Sequence, residues 1–70
     1  MSRAPRITGP ELIAALTKKG FVEVRVRGSH HFLRHKDGRT TVVPTHGSEK
    51  IGPGLFLKIL RDCQLSANDL

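Results

Sequence analysis

Tryptophan and tyrosine are absent from this 70-residue chain, whose aromatic residues are three phenylalanines. So little ring surface argues against strong reading of single-stranded bases and leaves any nucleic-acid binding mostly electrostatic and salt-sensitive. The single cysteine, Cys63, excludes an internal disulfide and a cysteine-based zinc staple, and it suits a reducing compartment. No apolar run approaches the roughly 20 residues of a membrane span. Met1 to Pro10 lacks the hydrophobic centre of a signal peptide, so the expectation is a cytoplasmic protein with no membrane contact. Acidic residues are scarce too: Asp and Glu number 6 against 12 Lys and Arg, a net charge of +6. Such an excess attracts polyanions, of which nucleic acid is the commonest in a cell.

A chain of this length forms one domain, 1–70, and buries only about 60% of the surface that its unfolded form exposes. Residues 1–7 carry Arg3, Pro5 and Arg6 without apolar periodicity and read as a flexible lead. Thr8-Gly9-Pro10-Glu11 has the S/T-x-x-E form of a capping box, which opens a helix with Leu12, Ile13, Ala15 and Leu16 on one side. Lys18 and Lys19 suit the negative end of that helix, and Gly20 ends it.

Phe21 to Arg27 alternates Val22, Val24 and Val26 with Glu23, Arg25 and Arg27, which predicts a strand with its valines inward and its charges in water. After a Gly28-Ser29 bend, His31 to His35 reads as a second strand. Its pattern leaves open whether Phe32 or Leu33 faces inward. Asp37-Gly38 marks a hairpin turn, and Arg39 to Val43 returns as a third strand stopped by Pro44. A polar loop, Thr45 to Gly52, leads to a helix from Pro53 to about Gln64, with Leu55, Phe56, Ile59, Leu60 and Cys63 as its apolar stripe. Residues 66–70 are a tail that begins one more turn. The expected fold class is α+β, in the order α-β-β-β-α, with both helices on one face of a three-stranded antiparallel sheet.

The chemistry converges on the bend. Gly28 permits a sharp reversal, which delivers His30 to the mouth of a strand. An imidazole with an unperturbed pKa of about 6.5 can take a proton in one step and give it up in another. Arg25, Arg27, Arg34 and Lys36 are candidates to hold phosphate, and Ser29 to orient the imidazole or a phosphate oxygen. His46, in the loop after the third strand, is a candidate complementary acid, whereas His31 and His35 read as surface residues. The bland alternatives are a hydrogen-bonded strand-end histidine and a solvated basic strand face. A metal site built from the four histidines would lack cysteine and the helical H-x-x-x-H spacing. The expectation is therefore no metal and no cofactor.

Several of these motifs occur together in one known family. Gly28-Ser29-His30 with an aromatic-containing strand, His35-Lys36-Asp37-Gly38-Arg39, Val42-Val43-Pro44 with His46 two beyond, and Gly52-Pro53-Gly54-Leu55 leading to Ile59-Leu60-Arg61-Asp62 closely resemble the HicA toxins of HicA–HicB modules. The similarity runs from Thr8 to Leu65. Family members often open the last helix with Pro-Lys-Gly, and here Gly52-Pro53-Gly54 lacks the positive charge. The resemblance implies a fold like the double-stranded-RNA-binding domain and a type II toxin that acts as a metal-independent endoribonuclease on mRNA. It also implies a HicB-like antitoxin as protein partner and His30 as the catalytic histidine. Such an antitoxin is expected to be acidic where it meets the arginine strand. The alternative is a non-catalytic double-stranded-RNA-binding module of the same architecture, in which only Lys50 and Lys58 stand near the start of the last helix.

Overall fold

The computed structural model describes residues 6–70. Its elements are α1 (Gly9–Lys18), β1 (Phe21–Arg27), β2 (His30–His35), β3 (Thr40–Pro44) and α2 (Pro53–Cys63), followed by a 3-10 turn at Ala67–Asp69. The strands form one antiparallel sheet in the order β1-β2-β3. This is the expected α-β-β-β-α order. Arg3 and Pro5 of the expected lead lie outside the described residues. Ile7 belongs to the fold rather than to the lead: its side chain packs on the core and its carbonyl accepts the Ile51 N–H at 2.7 Å.

The first helix starts where its capping chemistry dictates. Thr8 accepts the Glu11 N–H at 3.2 Å, and Glu11 accepts the Thr8 N–H at 2.9 Å, so two otherwise orphan donors are satisfied. The Thr8 N–H and then the Thr8 hydroxyl, which donates to the same carboxylate oxygen at 3.0 Å, hold the Glu11 carboxyl below its ordinary pKa. Gly9 is buried because this helix end presses on the end of β3, where a β-carbon would come within 2.2 Å of the Pro44 carbonyl oxygen. At the other end of α1, Gly20 has φ +97° and leaves room for His35, whose Nε2 would lie 2.8 Å from an added β-carbon.

Leu12 and Leu16 of α1 and Phe56, Ile59, Leu60 and Cys63 of α2 meet Phe21, Leu33 and Val43 of the sheet in one core. Full burial of a side chain of this size contributes about 1.5–3 kcal/mol. The register settles the faces. Leu33 stands opposite Thr41 and Glu23, and His31 opposite Val43 and Val26, so residues 31, 33 and 35 point toward the helices and residues 30, 32 and 34 point away.

The valines of β1 are a correction. Val22 is 61% exposed, Val24 60% and Val26 49%, while Phe21 alone in the strand is buried. Two physical causes combine. Phe21 fills the helix-facing site at the start of the strand and so sets Val22 outward. The register then slips between Glu23 and Arg25, leaving Val24 as an extra residue that reverses the alternation and turns Val26 to the helix side, opposite His31, where it stays half exposed. Small boundary differences have similarly local causes. His30 already pairs with Arg27 and Pro44, which makes it the first residue of β2 rather than its approach, and Pro44 closes β3 at the sheet's edge.

Arg39, read from sequence only as the start of a strand, is an anchor. Its Nε donates to Asp37 at 2.9 Å, its Nη1 donates to the Cys63 carbonyl at the end of α2, and its guanidinium carbon lies 5.2 Å from the Phe21 ring centre. Burial, with Asp62 adding to it, pushes the Cys63 thiol up to about 11, which makes it an inert core group.

Candidate functional site

Gly28 and Ser29 are the whole connection between β1 and β2, and Gly28 adopts φ +57° to make it. A two-residue hairpin needs this left-handed backbone, which costs a residue with a β-carbon about 1–2 kcal/mol. The bend is tied to the far side of the sheet. The Ser29 carbonyl accepts the Thr45 N–H at 2.8 Å, and the Thr45 hydroxyl lies 3.3 Å from the same oxygen. His30 therefore emerges from a bend fixed at both ends, with Arg27 opposite on one side and Pro44 on the other.

The His30 ring is exposed on the face that the helices leave bare, and no hydrogen bond engages it among the described residues. Arg27, also exposed, is its direct cross-strand neighbour, about 5 Å away between Cα atoms in such a pair. Arg25 and Arg34 share this bare face. Lys36 follows the end of β2, six residues beyond His30, which at about 3.4 Å per residue puts it roughly 20 Å away. The fold thus gathers His30, Arg27 and Arg25 into one patch, extends it along the strand to Arg34, and leaves Lys36 at the far end. Ser29 is half-buried, and its carbonyl accepts the tie from Thr45. His46 is exposed in the loop beyond Thr45, and its carbonyl accepts the Glu49 N–H at 3.0 Å.

His31 departs from its reading as a surface residue. It points to the opposite face, half-buried, with Nδ1 bonded to the Glu23 carboxylate and Nε2 3.1 Å from the Thr45 hydroxyl. A carboxylate can only accept, so Glu23 fixes a proton on Nδ1. The Glu23–His31–Thr45 chain ends on the residue whose backbone N–H holds the Ser29 carbonyl, and so buttresses the bend that carries His30. Spacing along the chain could not have shown this, because the slip at Val24 sets which β1 residue reaches His31. His35 is likewise half-buried on the helix side, edge-on to Phe21 with ring centres 5.2 Å apart. Adjacent histidines thus point to opposite faces. Among the described residues no three His, Cys, Asp or Glu side chains converge as metal ligands.

Comparison with curated proteins finds no match. The family model described as the HicA toxin of bacterial toxin–antitoxin modules matches residues 9–65, which run from the first residue of α1 to just beyond α2 and include the bend, its tie to Thr45 and the whole sheet. By that match, over most of its length, the chain belongs to the HicA toxin family.

Proposed function

We propose that this toxin is a metal-independent endoribonuclease that cleaves mRNA in the cytoplasm with His30 as its acid–base group. RNA supplies the nucleophile. The 2′ oxygen attacks the adjacent phosphorus, the bond to the 5′ oxygen breaks, and a 2′,3′-cyclic phosphate and a 5′ hydroxyl result. His30 takes the 2′ proton, and the departing 5′ oxygen receives a proton from the imidazolium so formed or from water. Proton transfer of this kind contributes typically a factor of 10² to 10⁴. Arg27 neutralises the charge gathering on the phosphate oxygens, and Arg25 and Arg34 hold the chain on either side. Ser29 fixes the bend through its carbonyl and orients the imidazole or a phosphate oxygen through its hydroxyl or amide.

The observation that carries the reading is the placement of His30, an exposed imidazole paired in the ladder with Arg27 on a face without an acidic strand residue. Family membership implies a HicB-type antitoxin, for which this cationic face is the natural counterpart. The non-catalytic double-stranded-RNA binder is less well supported, because the start of α2 is Gly52-Pro53-Gly54 rather than a lysine cluster.

The test is incubation of labelled RNA with wild type and His30→Ala, each with and without a chelator. Cleavage by wild type in both conditions, with 2′,3′-cyclic phosphate ends and a loss of 10² or more in the variant, is the expected result. Cleavage by neither protein, or its loss on chelation, overturns the reading.

A further inference from the structure

The face of the sheet opposite the helices carries more than cations. Phe21 and Phe56 are core residues, at 1% and 0% exposure. Phe32 is the remaining aromatic side chain, and it lies half-buried on the bare face. It is paired directly with Arg25 on one side and Val42 on the other. It stands two residues beyond His30 on the same side of the same strand, about 7 Å along it. A solvent-open hollow of about 580 Å³ adjoins it, lined on this face by Val24, Arg25, Phe32, Arg34, Thr40 and Val42. That lies within the range of sites that take small planar ligands, roughly 300–1,000 Å³. Asp62 reaches the hollow's rim, with its Oδ2 held by the Lys58 ammonium at 3.3 Å and the Thr41 hydroxyl at 3.1 Å.

We infer that Phe32 is the seat of one nucleobase of a single-stranded RNA, next to the phosphodiester at which His30 moves the proton. The inference rests on the ribonuclease reading for its ligand class and adds the strandedness of the substrate. Three features select a base over other occupants. The ring offers a stacking surface; guanidiniums flank it on the neighbouring positions; and the apolar valines around it exclude water from the edge of a stacked base. An apolar peptide would cover Arg25 and Arg34 without neutralising them. A duplex would present phosphates but no free base face, since its bases are already stacked.

Arg25 gives the site a moving part. Its guanidinium carbon is 5.8 Å from the Phe32 ring centre, near the outer limit of about 6 Å for a cation–π contact. So loosely held, it can leave the ring to a base and turn to the phosphate of the same nucleotide. Phe32 then acts in substrate placement, locking the nucleotide beside His30 so that the 2′ oxygen and the phosphorus are in line. The scarcity of aromatics therefore does not remove stacking; it confines stacking to one position.

The absence of tryptophan and tyrosine from the chain makes the test direct. Phe32→Trp, introduced together with His30→Ala to prevent cleavage, places the only indole of the protein at the site. Its fluorescence is expected to fall at least twofold on addition of an unstructured RNA hexamer. An abasic sugar–phosphate hexamer and a blunt RNA duplex should leave it unchanged. Phe32→Leu with His30→Ala is the second variant, and it is expected to bind the labelled hexamer about 5- to 150-fold more weakly, the equivalent of one lost base stack. Circular dichroism confirms that each variant is folded before binding is measured.

Equal quenching by the abasic strand, no quenching while the hexamer binds, or quenching by a HicB-type antitoxin but not by RNA each overturns the inference. The two readings separate cleanly. Wild-type cleavage of RNA without base-dependent quenching removes this site and keeps the nuclease. Base-dependent quenching in a protein whose wild type cleaves nothing keeps this site and removes the nuclease.

Discussion

Thr45 shows how much a single side chain away from the bare face of the sheet can matter. Its amide and hydroxyl both address the Ser29 carbonyl, and the hydroxyl also meets His31, so one residue after β3 holds the bend between β1 and β2. Thr45→Val keeps the amide tie and the side-chain volume but deletes the hydroxyl. The expected loss of stability is about 1 kcal/mol, by the net worth of a hydrogen bond in folding, and urea unfolding checks it. A displacement of a catalytic group by about 1 Å costs on the order of 10²-fold. A loosened bend is therefore expected to cost about tenfold in cleavage, read as a fall in kcat with KM for RNA little changed. A fall in KM-dependent binding alone would instead place Thr45 at the RNA surface. Gly9 belongs to the same scale, because its α-carbon lies against the Pro44 carbonyl with no room for a methyl group. Gly9→Ala is expected to destabilise the fold by about 1–3 kcal/mol through overpacking against rigid backbone, measured by the same unfolding experiment.

At the scale of elements, the turn from β2 to β3 carries a pH dependence. The Arg39 side chain, and then its backbone N–H, hold the Asp37 carboxyl below the ordinary aspartate value. A depressed folded pKa stabilises the protein above the unfolded value, and that contribution disappears as pH falls through the folded one. Asp37→Asn is therefore expected to be less stable than wild type at neutral pH and to converge with it in acid, in paired unfolding curves.

The elements also divide into those the sequence made plain and those it obscured. The capping box at Thr8, the Asp37-Gly38 turn and the apolar stripe of α2 act within a few residues, and each appears where local chemistry puts it. The faces of β1 and β2 were not legible in the same way. Val22, Val24 and Val26 imitate a buried stripe, yet Phe21 and Leu33 are the residues that the helices cover. The choice depends on pairing with a neighbouring strand and on the extra residue at Val24. His30 could be singled out from the Gly28-Ser29 bend and its neighbours. The buttress of Glu23, His31 and Thr45 could not, since it joins three segments through that same irregular pairing.

On the whole molecule, the charge excess of +6 is not spread evenly in its effect. Arg25, Arg27 and Arg34 follow one bare face, and Lys36 continues their line past the end of β2. Binding of single-stranded RNA should therefore weaken with salt, by about 0.7 in log–log slope for each phosphate contact. Arg27→Gln is expected to reduce that slope by about 0.7 and also to slow cleavage at saturating RNA, because it stands beside His30. Lys36→Gln is expected to reduce the slope alike and leave the saturated rate unchanged, because it is roughly 20 Å from the chemistry. Titrations across salt concentrations, paired with single-turnover rates, distinguish the two.

The extra residue at Val24 also governs how other chains can join the sheet. A regular outermost strand is a template onto which a second chain can zip, extending the ladder hydrogen bond by hydrogen bond. Here the rhythm of donors and acceptors breaks in the middle of β1, and the local twist tightens there. Growth past that border is thereby discouraged, and any visitor that pairs with this outer strand is held to one of its two short halves.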